Sequence, residues 1–347
     1  MDPSVYIPAY LERAYVASHP KLTDAARELV HNDVSVNPHK YAQTEHAQAL
    51  LSYAGVHRHL LDELHRIEDM GSDEEFEQTR NRLFDDMRDE LLKIVRADAY
   101  VLDAQLLAII LEDTPVDACL GDLMKLEATT ADYLQQSVPG FDMEAPHYRA
   151  NKVLADGVTA ADLTVSEPAL IGWLHTLEAI SQLCMASARY RAAVNYSRRV
   201  LKAEGYPTRA AGTVLLALAR LEDEDGFFAL AHQLEEQMGA DALENSPWYL
   251  LARTILLFKT NKMRPATRAL REFANRCEGG AFFLLNPMYQ TPYLPCRPEP
   301  HDPWDLSHQA VWEADGIISD TPDFAPWASA CEDVSQLAQE FARRYGF

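Results

Sequence analysis

The sequence has few glycines and contains none of the glycine-rich motifs that hold phosphates or position a nucleophile. Only 14 of its 347 residues are Gly, and the patterns GxxxxGK[ST], GxGxxG and GxSxG do not occur. Histidine, serine and aspartate are plentiful, but no spacing among them selects a catalytic triad. We therefore predict a non-enzymatic protein that needs no cofactor.

Cysteine is scarce, and its spacing suggests neither a disulfide framework nor a metal site. The five cysteines lie far apart, are odd in number and form no CxxC or Cys/His ligand pattern. They are Cys119, Cys184, Cys277, Cys296 and Cys331. This usage predicts free thiols in a reducing compartment.

Long hydrophobic runs are also missing. The most apolar stretches, "WYLLARTILLF" and "AGTVLLALARL", are interrupted by Arg and are shorter than the ~20 residues that a membrane-spanning helix needs. The first residues, "MDPSVYIPAYLERAYV", lack the basic start and apolar run of a signal peptide. We expect a cytoplasmic protein with no membrane segment.

Basic residues are outnumbered, with 31 Lys and Arg against 53 Asp and Glu and a formal net charge of −22. Such a surface repels nucleic-acid phosphates and anionic lipid headgroups. The charge therefore disfavours nucleic acid and membrane as partners and favours a protein or peptide, in particular a basic one. The alternative interpretation is that the acidic surface serves solubility alone.

Alternating strand patterns are hard to find, whereas apolar residues recur at helical spacing along nearly the whole chain. We predict an all-α protein. The predicted helices cover residues 22–31, 39–69, 73–96, 98–111, 115–136, 168–187, 189–204, 208–222, 226–238, 247–260, 264–277, 307–315 and 332–345.

Helix lengths and proline content divide the sequence into three regions. Residues 1–97 predict irregular helices, and residues 98–285 predict short helices paired by brief loops. Residues 286–347 begin with a proline-rich stretch, since eight of the 19 prolines fall within residues 286–327. Because that stretch also carries aromatics, among them Tyr289, Tyr293, Trp304, Phe324 and Trp327, we expect an ordered strap that packs along the helices and ends in a helix.

The segment "SARYRAAVNYSRRVL" places small and aromatic residues on one helical face. Tyr190, Ala193 and Ser197 share this face, with Ala193 and Ser197 small enough for a close helix contact. The preceding helix, "ALIGWLHTLEAISQLCMAS", carries a matching apolar stripe. The two stripes predict a pair of antiparallel helices.

This hairpin resembles a tetratricopeptide repeat (TPR). Tyr190 and Ala193 match the family pattern, and "TRAAGTVLLALARLEDEDGFFALAHQLEEQ" repeats it with Phe228 and Ala231. A looser third copy is "SPWYLLARTILLFKTNKMRPATRALREFANR". The order of motifs from "LDAQLLA" to "NPMYQTPYL" is similar to bacterial relatives of the suppressor-of-tumorigenicity TPR family. The resemblance implies a right-handed α-α superhelix for protein–protein interaction, with no catalytic residues.

In such a superhelix one face of each first helix lines a concave groove. On residues 168–187 that face carries His175, Glu178, Gln182 and Met185, which we predict as the peptide-binding groove. The alternative is that these side chains face solvent or another segment of the chain. The predicted function is an adaptor that binds a protein segment in the groove or on an acidic face, and an uncapped array also permits a homodimer.

The strongest enzymatic alternative is a DDxxD motif, formed by Asp85, Asp86 and Asp89, which is typical of Mg²⁺-dependent isoprenoid synthases. The second metal-binding motif of that family is absent. The three aspartates also lie opposite an apolar helix side, and Arg82 can pair with Asp86. A solvated acidic face therefore fits the residues better.

A histidine-rich helix offers the last alternative, a metal-binding bundle. Residues 57–65 contain three histidines, and Glu28 lies three residues before His31. A di-iron bundle needs two Glu-x-x-His pairs and two further carboxylates, and only one pair is present. The pattern favours surface histidines that respond to pH near 6 to 7.

Overall fold

The computed structural model describes residues 2–67, 72–137, 141, 143, 167–203, 206, 208–290 and 300–347. These residues form 17 α-helices, two short 3-10 helices and no strand, so the prediction of an all-α chain is confirmed. The α-helices are α1 Pro3–Ser18, α2 Asp24–Val34, α3 Glu45–Ile67, α4 Asp73–Ala97, α5 Leu102–Ile110, α6 Val116–Ser137, α7 Pro168–Ala186, α8 Tyr190–Leu201, α9 Ala210–Arg220, α10 Glu224–Met238, α11 Ala240–Glu244, α12 Pro247–Lys259, α13 Met263–Arg276, α14 Gly280–Leu285, α15 Asp305–Ser319, α16 Phe324–Ser329 and α17 Glu332–Tyr345.

Helix α1 has no counterpart among the predicted helices. Its segment contains Pro3 and Pro8, which weakened the helical signal in the sequence. Pro3 is tolerated because it lies in the first turn, where its missing N–H has no helical acceptor, whereas Pro8 lies inside the helix. The Asp2 carboxylate caps the helix by accepting a hydrogen bond from the Ser4 N–H at 2.6 Å.

The chain forms two compact units. The first comprises Met1–Ala179 with Lys202–Pro207, and the second comprises Ile180–Leu201 with Thr208–Phe347. Helix α7 contributes residues to both units. These limits differ from the three regions that helix lengths and proline content suggested.

In the first unit, α3 packs on α1 and α4, α4 packs on α5, and α5 packs on α6. Apolar spacing explains this order, because α4 buries Met87, Leu91 and Ile94 on one side while its other side is charged. Helix α5 is buried over most of its length, which is expected of a helix enclosed by others. The buried residues of α5 include one carboxylate, Asp103.

In the second unit, α9 lies at the centre. Nine of its 11 residues are buried, and it packs on α8, α10, α12 and α15. Gly212 permits the contact with α12, because a Cβ at this position would lie 2.8 Å from the Trp248 Cβ. Helix α12 in turn packs on α13 and α15, so α9 and α12 share α15 as a neighbour.

The same turn closes three helix hairpins, α7/α8, α9/α10 and α12/α13. Each turn has one left-handed residue two positions after the first helix ends and two positions before the second begins: Ala188, Glu222 and Asn261, with φ of 59°, 59° and 58°. The next residue's N–H donates to the carbonyl five positions earlier, as in a Schellman motif. These bonds are Arg189 to Cys184 (2.7 Å), Asp223 to Leu218 (3.1 Å) and Lys262 to Leu257 (2.8 Å).

The three turns define which residues of the hairpins are equivalent. Five residues after each left-handed residue stand Ala193, Phe227 and Ala266, and all three are fully buried. In the TPR resemblance Ala231 matches Ala193, and it lies four residues, about one helical turn, after Phe227.

Four of the five predicted packing residues are buried, and Phe228 is the exception. Tyr190, Ala193 and Ser197 are all below 8% exposed, and the Ser181 and Ser197 hydroxyls share a hydrogen bond of 2.6 Å. Ala231 is buried as well, because a shift of one turn keeps a residue on the same face. Phe228 is 44% exposed, however, and the neighbouring Phe227 occupies the core in its place.

The predicted strap of residues 286–327 falls partly on residues 291–299, which lie outside the described residues. The described part is more helical than expected, since it contains α15 and begins α16. Four of its aromatic side chains contact rings of other helices. The ring centroids are 5.2 Å apart for Tyr289 and Phe282, 5.3 Å for Trp304 and Phe283, 5.2 Å for Phe324 and Phe258, and 4.8 Å for Trp327 and Phe258.

The left-handed turns predict an unusual effect of glycine. A side chain at positive φ costs about 1 kcal/mol relative to glycine, so Ala188→Gly should raise the free energy of unfolding by roughly that amount. Ala192→Gly, inside α8, should lower it by about 1 kcal/mol. Urea denaturation of both variants tests the turn, and a loss of stability in Ala188→Gly would contradict it.

Candidate functional site

The predicted groove position on α7 has structural equivalents in the other two hairpins. His175 lies 13 residues before the left-handed residue Ala188, and Arg209 and Trp248 lie 13 residues before Glu222 and Asn261. These three residues define the first-helix position that would face a ligand in a hairpin array. Each of them contacts another segment of this chain.

His175 belongs to a polar network inside the first unit. Its Nδ1 donates a hydrogen bond to Asp103 Oδ1 at 2.8 Å, and the Tyr6 hydroxyl donates to Asp103 Oδ2 at 2.5 Å. The network joins α7, α5 and α1, and Asp103 is 4% exposed. Gly172 lets α7 approach α5 closely, because a Cβ there would lie 2.7 Å from the Leu102 Cβ.

The network keeps the Asp103 carboxylate ionised. Burial by itself would raise the pKa of Asp103, but the charge and hydrogen bond of His175 and the hydrogen bond from Tyr6 outweigh it and hold this pKa below its ordinary value. His57, on α3, is 5% exposed, and burial lowers the pKa of its imidazole despite the nearby carboxylates of Asp2 and Asp103. The arrangement provides a buried carboxylate whose two oxygens are both hydrogen-bonded, by His175 and by Tyr6.

The remaining predicted groove residues are also engaged or covered. The Tyr206 hydroxyl donates a hydrogen bond of 3.4 Å to Glu178 Oε2. Met185 is 5% exposed, and Gln182 is half-buried. Of the four residues, none is fully exposed.

In the second unit, α15 occupies the equivalent face of α9 and α12. The Trp248 indole N–H donates to Glu313 Oε2 at 2.8 Å, and the Thr213 hydroxyl donates to Glu313 Oε1. Arg209 donates to the side-chain oxygen of Gln309, and its guanidinium lies 5.8 Å from the Trp248 ring centroid. Glu313 is 9% exposed and Gln309 1%, so this polar contact is shielded from water.

No motif in the sequence marks these two carboxylates as buried. Asp103 and Glu313 lie in ordinary helical segments, "LDAQLLA" and "AVWEADG", where an acid is expected to face solvent. The nearest partner in sequence is 72 residues away for Asp103, namely His175, and 65 residues away for Glu313, namely Trp248. The one local signal of their burial is that most residues three and four positions before and after each acid are apolar.

The DDxxD residues lie on the exposed side of α4. Asp85, Asp86 and Asp89 are all exposed, whereas Met87 and Leu91 on the other side are buried. None of the three aspartates forms an ion pair within the described residues, and the expected pair between Arg82 and Asp86 is not formed there. The described part of the chain brings no second acidic helix with the same motif against them.

The histidine-rich helix does not form a metal site in the described residues. No group of three or more His, Cys, Asp or Glu side chains there is placed to hold a metal ion. His57 is buried, and His59 is exposed with its Nδ1 3.9 Å from Glu63. His31 contacts Glu12 rather than Glu28, at 2.9 Å.

The cysteines that the structure describes are all free thiols: Cys119, Cys184, Cys277 and Cys331. Burial raises the pKa of Cys277 to about 12, so this thiol is protonated and unreactive at neutral pH. Cys296 lies outside the described residues. Among the helices described, none combines the length and apolar character that crossing a bilayer requires.

Comparison with known proteins does not place the chain in a family. No protein-family model matches it, and neither the curated proteins nor the solved structures contain a match.

The buried His57 predicts that the first unit loses stability in acid. Because the pKa of His57 is lowered in the folded state, the unfolded chain binds a proton below pH 6.5 that the folded chain does not. One such group lowers the free energy of unfolding by up to about 1.4 kcal/mol per pH unit as pH falls from 6.5 to the folded-state pKa. Asp103 adds a loss of stability only below about pH 4, since its pKa is lowered too.

Urea denaturation at pH 7.0, 6.0 and 5.0 measures this dependence. His57→Gln should flatten the decline between pH 6 and 5. His59→Gln, on the exposed side of the same helix, should keep the decline of the original protein. Equal slopes in all three proteins would show that His57 does not carry the effect.

Proposed function

We propose that the chain is a non-enzymatic adaptor that binds basic protein segments on an acidic helix face and carries a TPR-like array as its scaffold. The three hairpins with identical turns support the array. Their left-handed residues are 34 and 39 residues apart, close to the ~34-residue TPR period. The packing of α8 on α9, α9 on α12 and α12 on α13 is the order of contacts that stacked hairpins make.

In a TPR-like array the peptide would bind to the face that carries His175, Arg209 and Trp248. In this chain all three residues contact other segments of the chain instead. His175 pairs with Asp103, while Arg209 and Trp248 contact α15 through Gln309 and Glu313. A partner that competed for these positions would have to expose two buried carboxylates, which is costly without new partners. We therefore place partner binding on the outside of the helices.

The acidic side of α4 is the observation that carries this proposal. It exposes Asp85, Asp86, Asp89 and Glu90 within six residues, and none of them forms an ion pair within the described residues. Two exposed bases, Arg82 and Lys93, lie one helical turn before and after these acids, and neither forms an ion pair with them within the described residues. Arg88 pairs with Glu112 instead, at 2.7 Å. The face therefore presents more acids than bases on a helix that packs on α3 and α5.

A basic segment complements this face. Lysine and arginine side chains along a partner helix or extended peptide can reach carboxylates that α4 presents one and four residues apart. The protein's net charge of −22 accelerates the approach of such a partner. The proposed binding is non-covalent. The proposal also includes a cytoplasmic location.

A fluorescein-labelled, lysine-rich peptide of 15 residues tests the proposal by fluorescence anisotropy at 50 mM salt. Replacing Asp85, Asp86 and Asp89 by Asn should weaken binding at least tenfold, because three carboxylates at the contact are neutralised. The matched control replaces three exposed acids of α10, Asp225→Asn, Glu235→Gln and Glu236→Gln, and should change the affinity less than threefold.

The two triple variants alter the net charge equally, so they separate a local site from general attraction. Equal losses in both would show that the peptide responds to overall charge and not to α4. A Mg²⁺-induced rise in melting temperature that disappears in the α4 variant would instead favour the isoprenoid-synthase alternative. Raising the salt to 500 mM should weaken the binding through screening.

A further inference from the structure

A cleft of about 500 Å³ lies in the second unit, between the end of α14, α15 and α16. Its volume falls within the range of natural ligand sites. Most of its lining is apolar, and it includes a carboxylate, Asp315. The lining residues are Leu284, Leu285, Pro287, Gln290, Asp315, Ile318, Ser319, Pro322, Ala325, Pro326 and Ser329.

Asp315 lacks the partners that a carboxylate in such a place normally has. It is partly buried, and it forms no hydrogen bond and no ion pair with any of the described residues. The burial raises the pKa of Asp315, and no opposing charge or hydrogen bond lowers it. A partly desolvated anion without a counter-charge is a site that a cation stabilises.

The surroundings of the cleft indicate what kind of cation fits. Ile318, Ala325 and the prolines provide an apolar wall for an aliphatic stem, and Asp315 provides the acceptor for a charged tip. Guanidinium is more weakly hydrated than ammonium and pairs with a carboxylate through two parallel hydrogen bonds. An arginine side chain therefore suits a carboxylate that is half removed from water better than lysine does.

The rim of the cleft favours a protein segment over a small cation. Met288, between two lining residues in sequence, is 85% exposed, and the adjacent Tyr289 is 42% exposed. Exposed apolar side chains next to a cleft are typical of a surface that another chain covers. Residues flanking the arginine of a partner would cover Met288 and Tyr289.

We propose that the cleft lined by Asp315, Ile318 and Ala325 binds an arginine side chain of a partner protein, with apolar residues of the same segment covering Met288. The inference rests on the proposed function only in that the ligand is a protein segment. It concerns a different surface from the acidic face of α4. The two sites can therefore succeed or fail separately.

The test uses the full chain and a fluorescein-labelled peptide, Ala-Leu-Arg-Leu-Ala, with Ala-Leu-Gln-Leu-Ala as the uncharged comparison. Fluorescence anisotropy should show binding of the arginine peptide and at least fivefold weaker binding of the glutamine peptide. Asp315→Asn should weaken the binding of the arginine peptide at least fivefold. Glu340→Gln, which removes an exposed acid of α17, should change it less than twofold.

A second variant tests the apolar wall without altering charge. Ala325→Phe fills the cleft and should weaken binding at least fivefold, and thermal unfolding of each variant shows that it is folded. Equal affinities of the Asp315→Asn and Glu340→Gln variants would overturn the proposal, as would unchanged affinity of Ala325→Phe.

The chain's own Arg297, outside the described residues, supplies the remaining comparison. Unchanged affinity in Arg297→Ala supports a site for a partner. A tenfold higher affinity of Arg297→Ala for the peptide would overturn the proposal, because it would mean that Arg297 itself competes for Asp315. Loss of binding in the α4 triple variant but not in Asp315→Asn would refute the cleft site and leave the acidic-face adaptor standing.

Discussion

The left-handed residue between two helices is the constraint on which the second unit depends. Ala188, Glu222 and Asn261 reverse the chain with the same hydrogen bond, which sets the position of every following helix residue relative to its partner helix. Small or buried residues then meet at equivalent places, Ala193, Phe227 and Ala266 among them in the core. Packing around α9 follows from the repetition of this one local geometry.

Equivalent positions of the three hairpins each make a polar contact within their own unit. The equivalent residues His175, Arg209 and Trp248 contact α5, α15 and α15, each through a buried acid or amide. Such polar contacts fix one arrangement of the helices, because an alternative packing leaves Asp103 or Glu313 unpaired.

Much of the helical content could be predicted from the sequence, because apolar spacing and N-caps such as Ser72 and Ser246 are local signals. The left-handed residues could not, since Ala and Glu do not mark this conformation as Gly does. Phe227 is buried and Phe228 exposed although they are neighbours, because successive helix residues point about 100° apart, and the aromatic type alone does not say which of the two faces the core. The burial of Asp103 and Glu313 arises from contacts distant in sequence.

We infer that α15 folds and unfolds together with the hairpin helices α9 and α12, to which the hydrogen bonds of Glu313 hold it. Hydrogen–deuterium exchange measured by mass spectrometry tests it directly. The backbone amides of α15 and α9 should exchange with the same free energy of opening, through one cooperative unfolding event. Exchange in α15 that is a hundredfold faster than in α9 would contradict the account, because α15 would then open while α9 stays folded.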